Sequence, residues 1–118
     1  MRTIIAGSRE AFENDTLAGI DSCPWKAQIS LVVSGTARGA DYWGERWAEE
    51  NKIPIKRYYP DWNRHGKSAG PIRNQEMAEN ADALICIWDG KSKGSKNMIE
   101  TAKKQGIKIH IHMINQND

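Results

Sequence analysis

The chain has 118 residues, 39% hydrophobic and 27% charged, the balance of a globular fold with one core. Seventeen Lys and Arg against fifteen Asp and Glu leave a formal net charge of +2, which suits an anionic small ligand better than a polynucleotide groove with its clustered basic excess. No apolar run approaches the ~20 residues of a membrane span, and too few apolar residues follow Met1-Arg2 for a signal peptide, so a cytoplasmic protein with no membrane partner is expected.

Thr3–Ala6 reads as a strand that ends at Gly7-Ser8-Arg9, and Glu10–Asp21 as a helix whose end Gly19 weakens. Ile29–Ser34 is a second strand, followed by Gly35-Thr36-Ala37-Arg38-Gly39-Ala40-Asp41 and a helical pattern over Tyr42–Asn51 with Trp43, Trp47 and Ala48 near one face. Ile53–Tyr59 is a third strand with Pro54 at its start. Pro60–Gly70 reads as a polar loop, and a helix begins near Pro71, where proline suits the first turn. Ala83–Trp88 is the fourth strand, Ser95–Gln105 a helix stopped by Gly106, and Ile107–Ile114 the fifth strand. Strand–helix alternation with short apolar runs predicts an α/β fold over residues 1–118, one Rossmann-like three-layer domain around a mostly parallel five-stranded sheet.

In such a sheet ligands bind beyond the carboxyl ends of the strands. Three strand exits carry small or phosphate-friendly residues: Gly7, Ser8 and Arg9; Ser34, Gly35, Thr36, Arg38 and Gly39; and the run from Trp88, Asp89, Gly90 and Lys91 to Gly94, Ser95 and Lys96. Glycines let backbone N–H groups approach an anion, a helix N-terminus favours negative charge, and lysine adds a point charge. Plainer readings stand beside these: tight turns for Gly7 and Gly35, caps for Ser8 and Thr36, solvated arginines, and loop shaping by Asp89. Asp41 at a helix start serves the dipole or meets a ribose hydroxyl, and Arg73 clamps a phosphate or pairs with a surface acid.

Neither glycine loop completes G-x-G-x-x-G and none closes a Walker A motif, which argues against an ordinary dehydrogenase or P-loop ATPase. The loop Pro60–Ser68 suits a lid, with Trp62 stacking on a base and Arg64 or Lys67 reaching phosphate. Cys23 and Cys86 read as reduced thiols, Cys86 in the core. His110 and His112 share a strand face without completing a ligand set, so no metal and no cofactor are expected.

Taken together, Ser34–Asp41, Gly70-Pro71-Ile72-Arg73-Asn74-Gln75 and Trp88–Lys96 resemble, in order and over nearly the whole chain, the YspA-like branch of the SLOG superfamily. That superfamily groups the DNA-processing Smf/DprA proteins with the cytokinin-activating LOG phosphoribohydrolases. The resemblance implies a Rossmann-like fold of bacterial or phage origin that binds nucleotides or their derivatives. The LOG enzymes carry an arginine ahead of the fourth strand and Gly-Gly-x-Gly-Thr-x-x-Glu after it. Arg73 falls on that arginine, Gly90 on the second glycine and, after a loop two residues longer, Gly94-Ser95 on Gly-Thr. The catalytic glutamate falls on Met98, and a methionine can neither take a proton nor stabilise a developing oxocarbenium charge. Glu100 is two residues on, about 200° around the helix.

The expectation is therefore a protein that binds a nucleotide-derived small molecule as sensor, carrier or sequestering protein, in phage–host or defence biology, with Arg73 and Asn74 beside the phosphate and no catalytic residue. A homo-oligomer is compatible with it. Two alternatives stand: an N-glycosidic hydrolase or transferase using Asp41, Asp89 or Glu100, and DprA-like binding of single-stranded nucleic acid, which the modest charge disfavours.

Overall fold

The computed structural model describes residues 1–114. Five strands among these residues, β1 (Arg2–Gly7), β2 (Leu31–Ser34), β3 (Ile55–Arg57), β4 (Ala83–Trp88) and β5 (Lys108–Met113), form one sheet in the order β3-β2-β1-β4-β5. Every neighbouring pair is parallel. The helices are α1 (Glu13–Asp21), α2 (Ala40–Glu50), α3 (Trp62–His65), α4 (Ala69–Glu79) and α5 (Lys93–Gln105).

Strand alternation divides the interior into two cores. Ile5, Val32, Ala83, Ile85 and Ile87 face one side, where Ile20 of α1 and Trp47 and Ala48 of α2 cover them. Ile4, Val33, Leu84 and Cys86 face the other, against Met77 and Ala78 of α4 and Met98, Ile99 and Ala102 of α5. With both faces covered, the central strands are apolar at nearly every position, as parallel strands must be. Ile4, Ile5, Leu84, Ile85 and Ile87 are all wholly inaccessible, each worth about 1.5–3 kcal/mol of transfer free energy. The register sets Ile5 beside Ile85 and Gly7 beside Ile87, so β1 ends one residue short of β4 and the two strands exit at the same edge of the sheet.

The three-layer α/β architecture agrees with the expectation; several boundaries do not. Helix α1 starts at Glu13 rather than Glu10, because Ser8–Ala11 form a turn and the Asp15 carboxylate accepts the Phe12 N–H at 2.9 Å. It also runs through Gly19: a Cβ there would stand 2.2 Å from Ile87 Cδ1, so the glycine lets the helix lie on β4. Strand β2 begins at Leu31 because a 3-10 turn occupies Lys26–Gln28, and β3 contracts to three residues. Helix α5 begins at Lys93, two residues before the expected start.

The largest correction concerns Pro60–Gly70. The Asp61 carboxylate accepts the Arg64 N–H at 3.1 Å and caps the short helix α3, a 3-10 turn spans Gly66–Ser68, and α4 is already under way at Ala69 with Pro71 in its first turn. Among the described residues no helix is long and apolar enough to cross a membrane.

Candidate functional site

From β1 the chain crosses by α1 to β2, whereas β4 leads away to β5, so the point between β1 and β4 is where the strand order reverses. A cavity of about 300 Å³ opens there, above the carboxyl ends of the strands. Ala6 and Gly7 of β1, Met77 of α4 and Met98 of α5 give it an apolar floor, and Arg9, Asp41, Arg73, Asn74 and Ser95 supply its polar groups. Two shallower arms adjoin it. One runs past Gly35, Thr36, Arg38, Tyr59 and Trp62; the other past Trp62, Lys67, Lys93 and Asn97. Arg9 and Arg73 line all three.

Backbone conformation after β2 makes room for these groups. Gly39 has φ +78°, and a Cβ on it would stand 2.3 Å from the Ser8 carbonyl oxygen, so only glycine lets this turn lie against Ser8-Arg9. At Gly35 a Cβ would come within 2.9 Å of both Arg73 Nη1 and Asp41 Oδ2; the missing side chain is the space those two groups occupy. Thr36 is held in the left-handed region at φ 64°, which a β-branched residue seldom adopts. Its N–H donates to Ser34 Oγ at 3.1 Å, Ser34 Oγ donates to Glu45 at 2.6 Å, and Glu45 accepts Arg57 Nε at 2.9 Å. Buried Ser34 thus does not line the cleft; it fixes Thr36, which does.

Arg73 reaches the cleft from α4. Its Nη1 donates to the Gly35 carbonyl oxygen and its Nε to Asn74 Oδ1 at 3.0 Å, while buried Asn74 donates to Asn97 Oδ1 at 2.8 Å. The guanidinium is oriented before any ligand arrives. Burial, and then the neighbouring charge of Arg9, push its pKa down against the opposing pull of Asp41. Asp41, only 5% exposed, accepts the Ala37 N–H at 3.3 Å. Burial raises its pKa to about 6, against the lowering effects of that hydrogen bond and of Arg73, with Glu45 raising it further. It is the carboxyl among the described residues that lines the cleft.

The loop after β4 is folded on itself. Asp89 Oδ1 accepts the N–H groups of Lys91 and Ser92, both at 2.8 Å, and these bonds, chiefly that from Ser92, hold its carboxyl below the usual range. Ser8 Oγ accepts the Asp89 N–H at 3.0 Å, tying the β1 and β4 exits together, and Trp88 Nε1 donates to the Ser92 carbonyl oxygen at 3.1 Å. Ser92 caps α5 by accepting from Ser95. The first turn of α5 faces the cavity through Gly94 and buried Ser95.

The expected residues therefore divide. Gly7, Arg9, Gly35, Thr36, Arg38, Arg73, Asn74, Asp41, Gly94 and Ser95 line the cleft or its arms. Ser8, Ser34, Gly39, Trp88 and Asp89 shape the loops around it. Gly90, Lys91 and Lys96 are exposed and lie outside the lining. Lys93, Asn97 and Tyr59 line the arms without having been singled out; with α5 beginning at Lys93, that lysine rather than Lys96 comes to the cleft. Met98 lines the floor at the glutamate position of the LOG motif, while Glu100 is exposed. Cys86 is buried in the core, its thiol pushed up to about 12 chiefly by burial. No grouping of three or more His, Cys, Asp or Glu among the described residues is placed to hold a metal ion; His110 instead meets Ser22 Oγ at 2.9 Å.

The model of the YspA, cpYpsA-related SLOG family matches residues 1–65. Gene 61 protein of Mycobacterium phage D29 is 34% identical over 116 residues, which span 92% of this chain and 93% of that protein. Among solved structures, the X-ray structure of DNA processing protein A (DprA) from Streptococcus pneumoniae superposes on 93% of this chain with a TM-score of 0.72. At 16% identity that likeness is one of fold, and the chain spans about half, 49%, of the DprA chain.

Proposed function

The chain belongs to the YspA, cpYpsA-related SLOG family, and from that premise we propose that it binds a nucleotide or nucleotide-derived small molecule by its phosphate, as a sensor, carrier or sequestering protein. One observation carries the reading: Arg9 and Arg73, from different elements, face one cleft at the switch point of the sheet, beside the first turn of α5. Two guanidinium groups facing one cleft call for an anion: burial, and then the charge of Arg9, press on the ionisation of Arg73, and Asp41 is the one carboxylate among the described residues that lines the cleft to offset them. A phosphate meets that need with bidentate geometry. The phage relative supports a setting in phage–host biology.

Calorimetric titration with nucleoside monophosphates of all four bases tests the reading. Binding that falls about a hundredfold in Arg73→Ala, and less in Arg73→Lys, is expected from loss of a charge-assisted fork. Affinity unchanged in Arg73→Ala would overturn it. Asp41 is the one observation that favours N-glycosidic hydrolysis, as a carboxyl titrating near neutrality in the cleft. Chromatography of the same mixtures decides between the two: no free base accompanies recognition, whereas turnover abolished in Asp41→Asn establishes the hydrolase. Sub-micromolar oligonucleotide binding that collapses with salt would instead favour nucleic acid.

A further inference from the structure

Resting on the nucleotide reading, we infer that the cleft takes a ligand with two separate anionic groups, the second held by Lys67 and Lys93, with its base against Trp62. The indole lines both shallow arms and so stands between them. On one side lie Tyr59 and Pro60, an aromatic and apolar surface suited to a planar base. On the other lie Lys67, from the turn before α4, and Lys93, the first residue of α5, with Asn97 in the same lining. That arm is lined by Arg9, Arg73, Lys67 and Lys93 and, among the described residues, by no carboxylate. Ion pairs within 4 Å among the described residues engage Arg2, Lys26, Arg38, Arg46 and Arg57, and none of these four cations.

The charge balance gives the inference its force. With Asp41 beside Arg73, a single phosphate between Arg9 and Arg73 already balances the inner cleft and leaves Lys67 and Lys93 facing the outer arm. A ligand whose second phosphate reaches that arm matches all four. Trp62 is 54% exposed, and Tyr59 69%, so both rings are free to cover a base once it enters.

The test compares 5′-monophosphates with 5′-diphosphates and 3′,5′-bisphosphates of adenosine, guanosine, cytidine and uridine by calorimetry, with tryptophan fluorescence as a second readout. Diphosphates or bisphosphates are expected to bind at least about tenfold tighter than the matching monophosphate, the worth of one charge-assisted contact. Lys67→Ala combined with Lys93→Ala removes that preference, lowering diphosphate or bisphosphate affinity at least about tenfold more than monophosphate affinity. Both lysines are exposed, so an unchanged melting midpoint is expected, and Lys103→Ala with Lys104→Ala, an equal loss of charge on the last turn of α5, keeps the preference. Equal affinity for singly and doubly phosphorylated ligands, or a preference that survives in the Lys67/Lys93 variant, overturns the inference while leaving phosphate recognition standing. Failure of every nucleotide to bind overturns both.

Discussion

Arg73 and Asp41 meet over the space of a missing side chain at Gly35, and each alters what the other can do. Burial makes ionisation of Asp41 costly, and its folded pKa of about 6 lies above the ordinary value near 3.8. The folded state therefore binds more protons than the unfolded one between about pH 4 and 6, so this residue's contribution to stability is present below pH 4 and is lost as pH rises through 6. The loss is about 3 kcal/mol at pH 7, from a shift of roughly two pKa units. Asp41→Asn keeps an oxygen to accept the Ala37 N–H and carries no charge. Urea denaturation at pH 4 and pH 7 is expected to show wild-type stability falling across that interval more steeply than the variant's. Parallel pH profiles for the two proteins would show that Asp41 titrates normally in the fold.

The β2–α2 turn is the element that places Ala37, Asp41 and the Gly35 carbonyl, and its backbone is held under strain. Thr36 in the left-handed region costs about 1–3 kcal/mol, sustained by the chain of hydrogen bonds through Ser34 and Glu45 to Arg57. Thr36→Gly relieves it and is expected to raise stability by about 0.5–1 kcal/mol, since glycine also loses more entropy on folding. Gly39→Ala acts in the opposite sense. The added methyl meets the Ser8 carbonyl oxygen and the Arg9 backbone, so a loss of more than about 2 kcal/mol is expected, together with weaker ligand binding because Arg9 must move. Chemical denaturation of the pair checks both signs; a Thr36→Gly protein less stable than wild type would mean that the Oγ1 hydrogen bond to Gly35 outweighs the strain.

At the scale of the molecule, the parallel sheet was legible because burial on both faces forces long apolar runs, and Ala83–Trp88 was delimited to the residue. The convergence of strand exits followed from topology alone. Side-chain direction did not: Asp89 is a candidate ligand contact yet turns back on its own loop, and because α5 starts at Lys93 rather than Ser95, Lys93 and not Lys96 lines the cleft. The helix over Trp62–His65 was hidden because four residues carry no periodicity, and its signal was the Asp61 cap alone.

The cleft draws on β1, the β2–α2 turn, α4 and α5, so a bound anion joins elements from both halves of the sheet and both helical layers. Ligand at a hundred times its dissociation constant adds about 2.7 kcal/mol to the folded state, which for a chain of this size raises the melting midpoint by roughly 10 °C. Ile85→Ala, a truncation at a wholly buried site of the α1–α2 core, costs about 2–5 kcal/mol on its own. Ile85 lies outside the cleft lining, so the ligand-induced rise, measured as a stability increment by calorimetry, is expected to be the same in Ile85→Ala as in wild type. In Arg73→Ala the rise vanishes at the same nucleotide concentration while the midpoint without ligand moves far less than in Ile85→Ala. An equal increment in all three proteins would place the anion elsewhere on the surface, whereas loss of the increment in Ile85→Ala alone would make binding depend on the α1–α2 core rather than on the guanidinium groups at the strand ends.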